Sequence, residues 1–184
     1  MLYPEVVCAI HRAANEMRIS KRELITNGFF TKDINRIKEV VQDLENSGVC
    51  QILLSVDAFH QETIPLEPVR LFAECVTKTG MSIKLSPAWL VSEKDNNQYN
   101  VRTREIIKEF DYLNIPVGAG NIVFPSGNAL KYLKEYFEEN VECTSPYQEN
   151  PEDIRAISFS PNGDVLDGNF YQKGILEILN DYQP

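Results

Sequence analysis

Residues 51–60 read Gln51-Ile52-Leu53-Leu54-Ser55-Val56-Asp57-Ala58-Phe59-His60, and their alternation decides the fold. Strand side chains point to opposite faces in turn, so Leu53, Ser55 and Asp57 share one face while Ile52, Leu54 and Val56 share the other. Ser82, Lys84 and Ser86 oppose Ile83 and Leu85 in the same way. A doubly wound sheet carries helices on both faces and prefers apolar residues on each. One apolar face under helices and one polar face toward a cavity points instead to a barrel or half-barrel. The alternative is an open sheet with polar residues only at its strand ends.

Working outward, helix-period and strand-like segments alternate. Pro4 suits a first helical turn, with Val7, Ile10, Ala14 and Met17 behind it. Glu23 to Phe30 reads as a strand ending in Asn27-Gly28. Thr31 is expected to cap a helix with Ile34, Ile37, Val41 and Leu44 on one stripe, stopped by Gly48. After the strand Val49 to Ala58, Pro65 and Pro68 open a helix that Gly80 closes, and Ser82 to Leu85 forms a third strand. The polar loop Ser92 to Asn100 is expected to be mobile. Val101 to Leu113 has helical spacing, Pro116 to Val123 is a fourth strand candidate, and Ser126 is expected to cap a further helix. Strand starts near residues 24, 51, 82 and 117 have the spacing of repeated βα units around a parallel sheet.

The expected fold is therefore α/β: a partial (β/α) barrel of about four parallel strands with flanking helices over residues 1–143. Residues 144–184 follow as a β-hairpin and helix appendage packed on it. There Ile154 to Ser160 and Val165 to Phe170 flank Pro161-Asn162-Gly163-Asp164, a hairpin signal, before the helix Gly174 to Tyr182. At 184 residues the chain is short of the roughly 250 that a full eight-stranded barrel takes.

The net charge of −9 is concentrated at the C-terminal end, where residues 126–184 hold 4 basic and 11 acidic groups. No basic stripe exists to neutralise nucleic-acid phosphates, nor a basic amphipathic face for a membrane surface. No apolar run approaches the roughly 18 residues of a membrane span, and no signal-like N-terminus is present, so a cytoplasmic protein is expected. Cys8, Cys50, Cys75 and Cys143 show no ligand spacing, and the first three fall in apolar segments that read as buried thiols. With only His11 and His60, a His-rich metal site is excluded.

Ligands of βα folds sit at the carboxyl ends of strands, which makes Thr26, Asn27, Ser55, Asp57, His60, Lys84, Ser86 and Asn121 the candidates. Ser55 and Asp57 either bond two ribose hydroxyls or cap the loop that follows them. Lys84, within an apolar strand, needs water, a ligand anion or a carboxylate such as Asp57. His60 is a weak candidate acid or base and otherwise a hydrogen-bonding loop residue. Asn27-Gly28 is also a common turn. Trp89 and Phe59 line a pocket or belong to the core.

The order of these motifs resembles the radical S-adenosylmethionine (radical SAM) superfamily. Glu23-Leu24-Ile25-Thr26-Asn27-Gly28 is similar to that family's third barrel strand, and Ile52 to His60, with its Ser-x-Asp pair and the later Ile64-Pro65, is similar to the fourth. Ile157 to Val165, followed by Gly174 to Leu179, resembles the hairpin and helix after the barrel. The resemblance implies that Asn27, Ser55, Asp57 and Ser86 face S-adenosylmethionine, with Ser55 and Asp57 on its ribose side and Lys84 or Ser86 near its carboxylate or the substrate.

Two family features are missing: the CxxxCxxC loop that ligates a four-iron four-sulfur cluster, and the Gly-Gly-Glu-Pro stretch. Met1-Leu2-Tyr3-Pro4-Glu5-Val6 resembles the residues directly after that stretch, so the chain is expected to begin about two strands late. A complete parent would form a 5′-deoxyadenosyl radical; this chain alone is expected to retain no cluster and to be inactive. Loss of two strands would leave the edge of residues 23–30 open to self-association. The alternatives are a non-catalytic α/β binding or partner module, and an aldolase-like barrel using Lys84 as a Schiff-base lysine. The substrate is not specified by the sequence.

Overall fold

The structure is a computed structural model of the 184-residue chain and describes residues 3–137, 157–160 and 162–182. It divides into two compact units, Met1–Glu139 and Asn140–Pro184. Cys143, the loop 144–152, the acidic residues Glu138, Glu139 and Glu142, the strand start at Ile154 and the turn residue Pro161 lie outside the described residues.

The first unit runs α1 (Pro4–Glu16), β1 (Glu23–Thr26), α2 (Ile34–Asn46), β2 (Gln51–Leu54), α3 (Ala58–Gln61), α4 (Leu66–Val76), β3 (Ser82–Leu85), β4 (Ala88–Trp89), α5 (Gln98–Lys108), β5 (Asn121–Ile122) and α6 (Asn128–Tyr132). β1, β2 and β3 form a parallel sheet in chain order, with Thr26 opposite Leu54 and Leu54 opposite Leu85. The chain is thus mixed α/β with a small parallel sheet, and no closed sheet is present among the described residues.

The two faces differ as the alternation requires. Ile52, Leu54, Ile83 and Leu85 are buried against Ile37, Val40, Val41 and Leu44 of α2 and Val69, Phe72, Ala73 and Val76 of α4. Burying a side chain such as Phe72 contributes about 1.5–3 kcal/mol. On the opposite face Glu23, Ile25, Gln51, Leu53, Ser82 and Lys84 are all at least partly exposed. Ile25 is 63% exposed, and β1 is paired along one edge only among the described residues.

The fourth strand candidate is split. Val117 makes a single parallel bridge to Leu85, and Asn121–Ile122 pairs in parallel with Ala88–Trp89 as a separate two-stranded sheet. Between them Gly120 adopts φ +72°, and a Cβ there would lie 2.1 Å from the Pro87 carbonyl oxygen. The indole N–H of Trp89 donates to the Ala119 carbonyl at 3.0 Å and fills the gap in the ladder. The strand is interrupted because two backbones meet here too closely for a side chain.

Other boundaries shift for local reasons. Asp33, rather than Thr31, caps α2, accepting from the Asn35 and Arg36 amides at 2.8 and 3.3 Å. Gly127, not Ser126, precedes α6. Cys50, expected to be buried, is exposed. The polar loop after β4 is tied down rather than left free. Asn100 is fully buried; its side-chain oxygen accepts from the Leu90 amide, and its NH2 donates to the carbonyls of Leu90, Ser92 and Asp95. Asn97 caps α5 by accepting from the Asn100 amide, which draws Gln98–Asn100 into the helix.

In the second unit, the described residues form β6 (Asp164–Val165), β7 (Gly168–Asn169) and α7 (Ile175–Asp181). The antiparallel pair turns at Leu166–Asp167, and the Asn162–Gly163 stretch is a second turn in which the Ser160 amide donates to the Asp164 carbonyl at 2.9 Å. Residues 165–170, expected as one strand, instead contain the Leu166–Asp167 turn, and the strand expected to end at Ser160 lies partly outside the described residues. No helix among the described residues is long and apolar enough to cross a membrane.

Gly120→Ala should destabilise the first unit by about 2 kcal/mol or more, from positive φ and the clash with Pro87, as read by urea denaturation. Asn100→Ala should cost about 1–3 kcal/mol and raise amide exchange over residues 90–97 more than in α2.

Candidate functional site

The carboxyl ends of β1 and β2 are built around one buried carboxylate. Asp57 is 0% exposed and caps α3, with Oδ1 accepting from the His60 amide at 3.0 Å. Oδ2 accepts from the Ala88 amide at 3.0 Å, across 31 residues of chain. The His60 ring nitrogen Nδ1 lies 2.8 Å from Oδ2 and 3.0 Å from Oδ1. The Asp57 amide donates to Gln61 Oε1 at 2.8 Å, and the neighbouring Ala58 amide donates to the buried hydroxyl of Thr103 on α5 at 3.0 Å. One side chain thus fixes the end of β2, the short helix α3 and the start of β4.

The Thr26-Asn27-Gly28 turn is held by its own side chains: Thr26 Oγ1 accepts from the Gly28 amide at 3.1 Å, and Asn27 Oδ1 accepts from the Phe29 amide at 3.0 Å. Gly28 sits at φ +69°, where a Cβ would lie 2.8 Å from Leu54 Cδ1 and 3.1 Å from the Phe72 ring. Glycine is required because the turn presses on the core.

Above these strand ends lies an open groove of about 480 Å³ lined by Tyr3, Val6 and Val7 of the α1 region, Leu24 to Asn27, Ser55 and His60. Its size falls within the roughly 300–1,000 Å³ of small-molecule sites. The Ser55 amide donates to the Thr26 carbonyl at 2.8 Å, which orients the strand end; its hydroxyl has no partner among the described residues. His60 completes the polar side. The hydrogen bond to Asp57 raises its pKa above the ordinary 6.5, against the opposing effect of burial.

Of the residues singled out in the sequence, Thr26, Asn27, Ser55 and His60 meet in the groove, and Asn121, on β5, is not among its lining residues. Asp57 lies behind it with both oxygens engaged by protein donors, which is the capping alternative. Ser86 and Lys84 are outside the lining; Lys84 is exposed on the open face and has no ion pair among the described residues, its register partner being Leu53 rather than Asp57. Trp89 belongs to the core, and Phe59 stacks on Tyr99 at 5.1 Å. Tyr3 and Val6 enter the groove although the sequence marks them only as part of the stretch at its start, and the supporting Gln61 and Thr103 carry no sequence signal, since they lie on helices with no motif of their own.

The described residues offer no set of ligands that fits an iron–sulfur cluster. Cys8 is buried, Cys50 exposed and Cys75 half-buried, and no group of three His, Cys, Asp or Glu side chains suited to a metal exists among the described residues.

Asp57→Ala should destabilise the protein by about 3–5 kcal/mol, because it removes the acceptor shared by the His60 amide and ring on α3 and the Ala88 amide on β4. The raised pKa of His60 means that its contribution is fully present below about pH 6.5 and is lost as pH rises through the folded-state value. Wild type should therefore exceed His60→Gln in denaturant stability by more at about pH 5.5 than at about pH 8.5; an advantage that grows with pH would contradict the pairing.

Compared with known families and curated proteins, the sequence matches no family model and no curated protein.

Proposed function

We propose that this chain binds the adenosine part of S-adenosylmethionine in the groove above β1 and β2, as the nucleoside-holding portion of a radical SAM-type partial barrel. The observation that carries this reading is the groove itself: an unpartnered Ser55 hydroxyl and the Thr26–Asn27 turn on one side, and Tyr3, Val6, Val7 and Ile25 on the other. Such a surface offers hydrogen bonds to ribose hydroxyls and apolar contact to an adenine ring. The one-sided burial of the sheet is consistent with a half-barrel whose polar face turns toward a cavity.

Radical chemistry is not assigned to these 184 residues, because they carry no cluster-binding cysteine set. Any cluster would have to be ligated by residues other than these. On this reading the chain serves as the nucleoside-binding portion, and the exposed Lys84 adds nothing that favours a Schiff-base reaction. The open edge of β1, with Ile25 exposed, supports self-association through residues 23–30.

Isothermal titration should show adenosine and S-adenosylhomocysteine binding with similar affinity. Ser55→Ala should weaken both about tenfold, or about 1.4 kcal/mol. Absence of binding at millimolar ligand would overturn the reading, and 5′-deoxyadenosine formed by the reconstituted chain would refute the absence of radical chemistry. In sedimentation the chain should associate with rising concentration and Ile25→Lys should remain monomeric; a wild-type monomer at all concentrations contradicts the edge proposal.

A further inference from the structure

Asp57 presents both oxygens to backbone donors, Oδ1 to the His60 amide and Oδ2 to the Ala88 amide, so it acts as an acceptor on each. The His60 Nδ1 that lies 2.8 Å away must then be the donor, which fixes the proton of the neutral ring on Nδ1. The other nitrogen, Nε2, is left as the acceptor. It has no partner among the described residues, the side chain is 37% exposed, and the ring forms part of the groove wall beside Ser55. A buried carboxylate that orients an imidazole and leaves its far nitrogen open is the arrangement of a proton-transfer histidine.

We propose that His60 is the proton-transfer group of this groove, exchanging a proton at Nε2 with a hydroxyl or amino group of the molecule bound there. In the forward direction the Nε2 lone pair forms an N–H bond, the O–H or N–H bond of the ligand breaks, and its electron pair stays on the ligand atom. The imidazolium that results is held by Asp57; the reverse step returns the proton. Across the groove the other titratable group is Tyr3; next to α3 stand Glu62 and, on the packed helix α5, Tyr99, stacked on Phe59, and Arg102, which pairs with Glu105 at 2.9 Å. None of these groups shifts the imidazole; Asp57 does, in the direction that favours the protonated ring, against the opposing effect of burial. The ligand class rests on the adenosine-binding reading of the groove; the state of the ring does not.

The chain has only two histidines, which makes the test direct. Burial lowers the His11 pKa below 6.5, so in nitrogen-15 imidazole spectra the two rings should titrate on opposite sides of that value. His60 should show the Nδ1–H tautomer when neutral, and Asp57→Asn should move its titration downward. An Nε2–H tautomer, or a titration of His60 below 6.5, overturns the proposal in the wild-type protein and needs no variant. Diethyl pyrocarbonate should carbethoxylate His60 as pH rises through its pKa, Nε2 forming an N–C bond to the reagent carbonyl as ethyl carbonate leaves. Adenosine should slow that reaction several-fold and shift the His60 titration. Adenosine that binds the groove but changes neither overturns the proposal. If adenosine does not bind, the nucleoside reading falls, and the tautomer and titration still decide for or against His60.

Discussion

The first unit depends on the buried carboxylate of Asp57. A charge-bearing group with no solvent exposure is tolerated only where donors surround it, and here the donors come from three places: the first turn of α3, the imidazole of His60 and the amide of Ala88. That requirement ties the loop after β3 to the end of β2 and sets where β4 begins. It also sets which nitrogen of His60 faces the groove. The geometry of the candidate site follows from satisfying one side chain.

Around this point the sheet supplies the platform. Parallel pairing places the ends of β1 and β2 level, with Thr26 opposite Leu54, so that Asn27 and Ser55 emerge side by side. Gly28 then lets the chain turn directly over Leu54 and Phe72 without a Cβ to hold it away. The tight core beneath and the open groove above are two sides of one packing arrangement.

Much of this was legible in the sequence. The period-two pattern in Ile52 to Asp57 and in Ser82 to Ser86 located two strands and identified the buried face, because burial acts on every second residue. The fourth strand was not legible as a broken one: the break depends on Pro87, Trp89 and Ala119 meeting Gly120, and no local pattern records that contact. The alternation puts Asp57 on one strand face with Ser55, but β2 ends at Leu54 and Asp57 is already the N-cap of α3, its carboxylate reaching Ala88 far along the chain. The expected mobility of residues 92–100 followed from their polarity, whereas three carbonyls converging on the Asn100 amide decide the outcome. A side chain that satisfies distant backbone groups looks, in sequence, like any other polar residue.

Asp57 supports the groove without entering it, leaving Ser55, the Thr26–Asn27 turn and His60 to meet a ligand. The most direct measurement is a map of amide chemical-shift changes during titration with adenosine. Saturable changes should concentrate at Tyr3, Val6, Thr26, Asn27, Ser55 and His60, with α2 and α7 unaffected. Saturable binding that perturbs another surface and leaves these six unchanged would contradict the account.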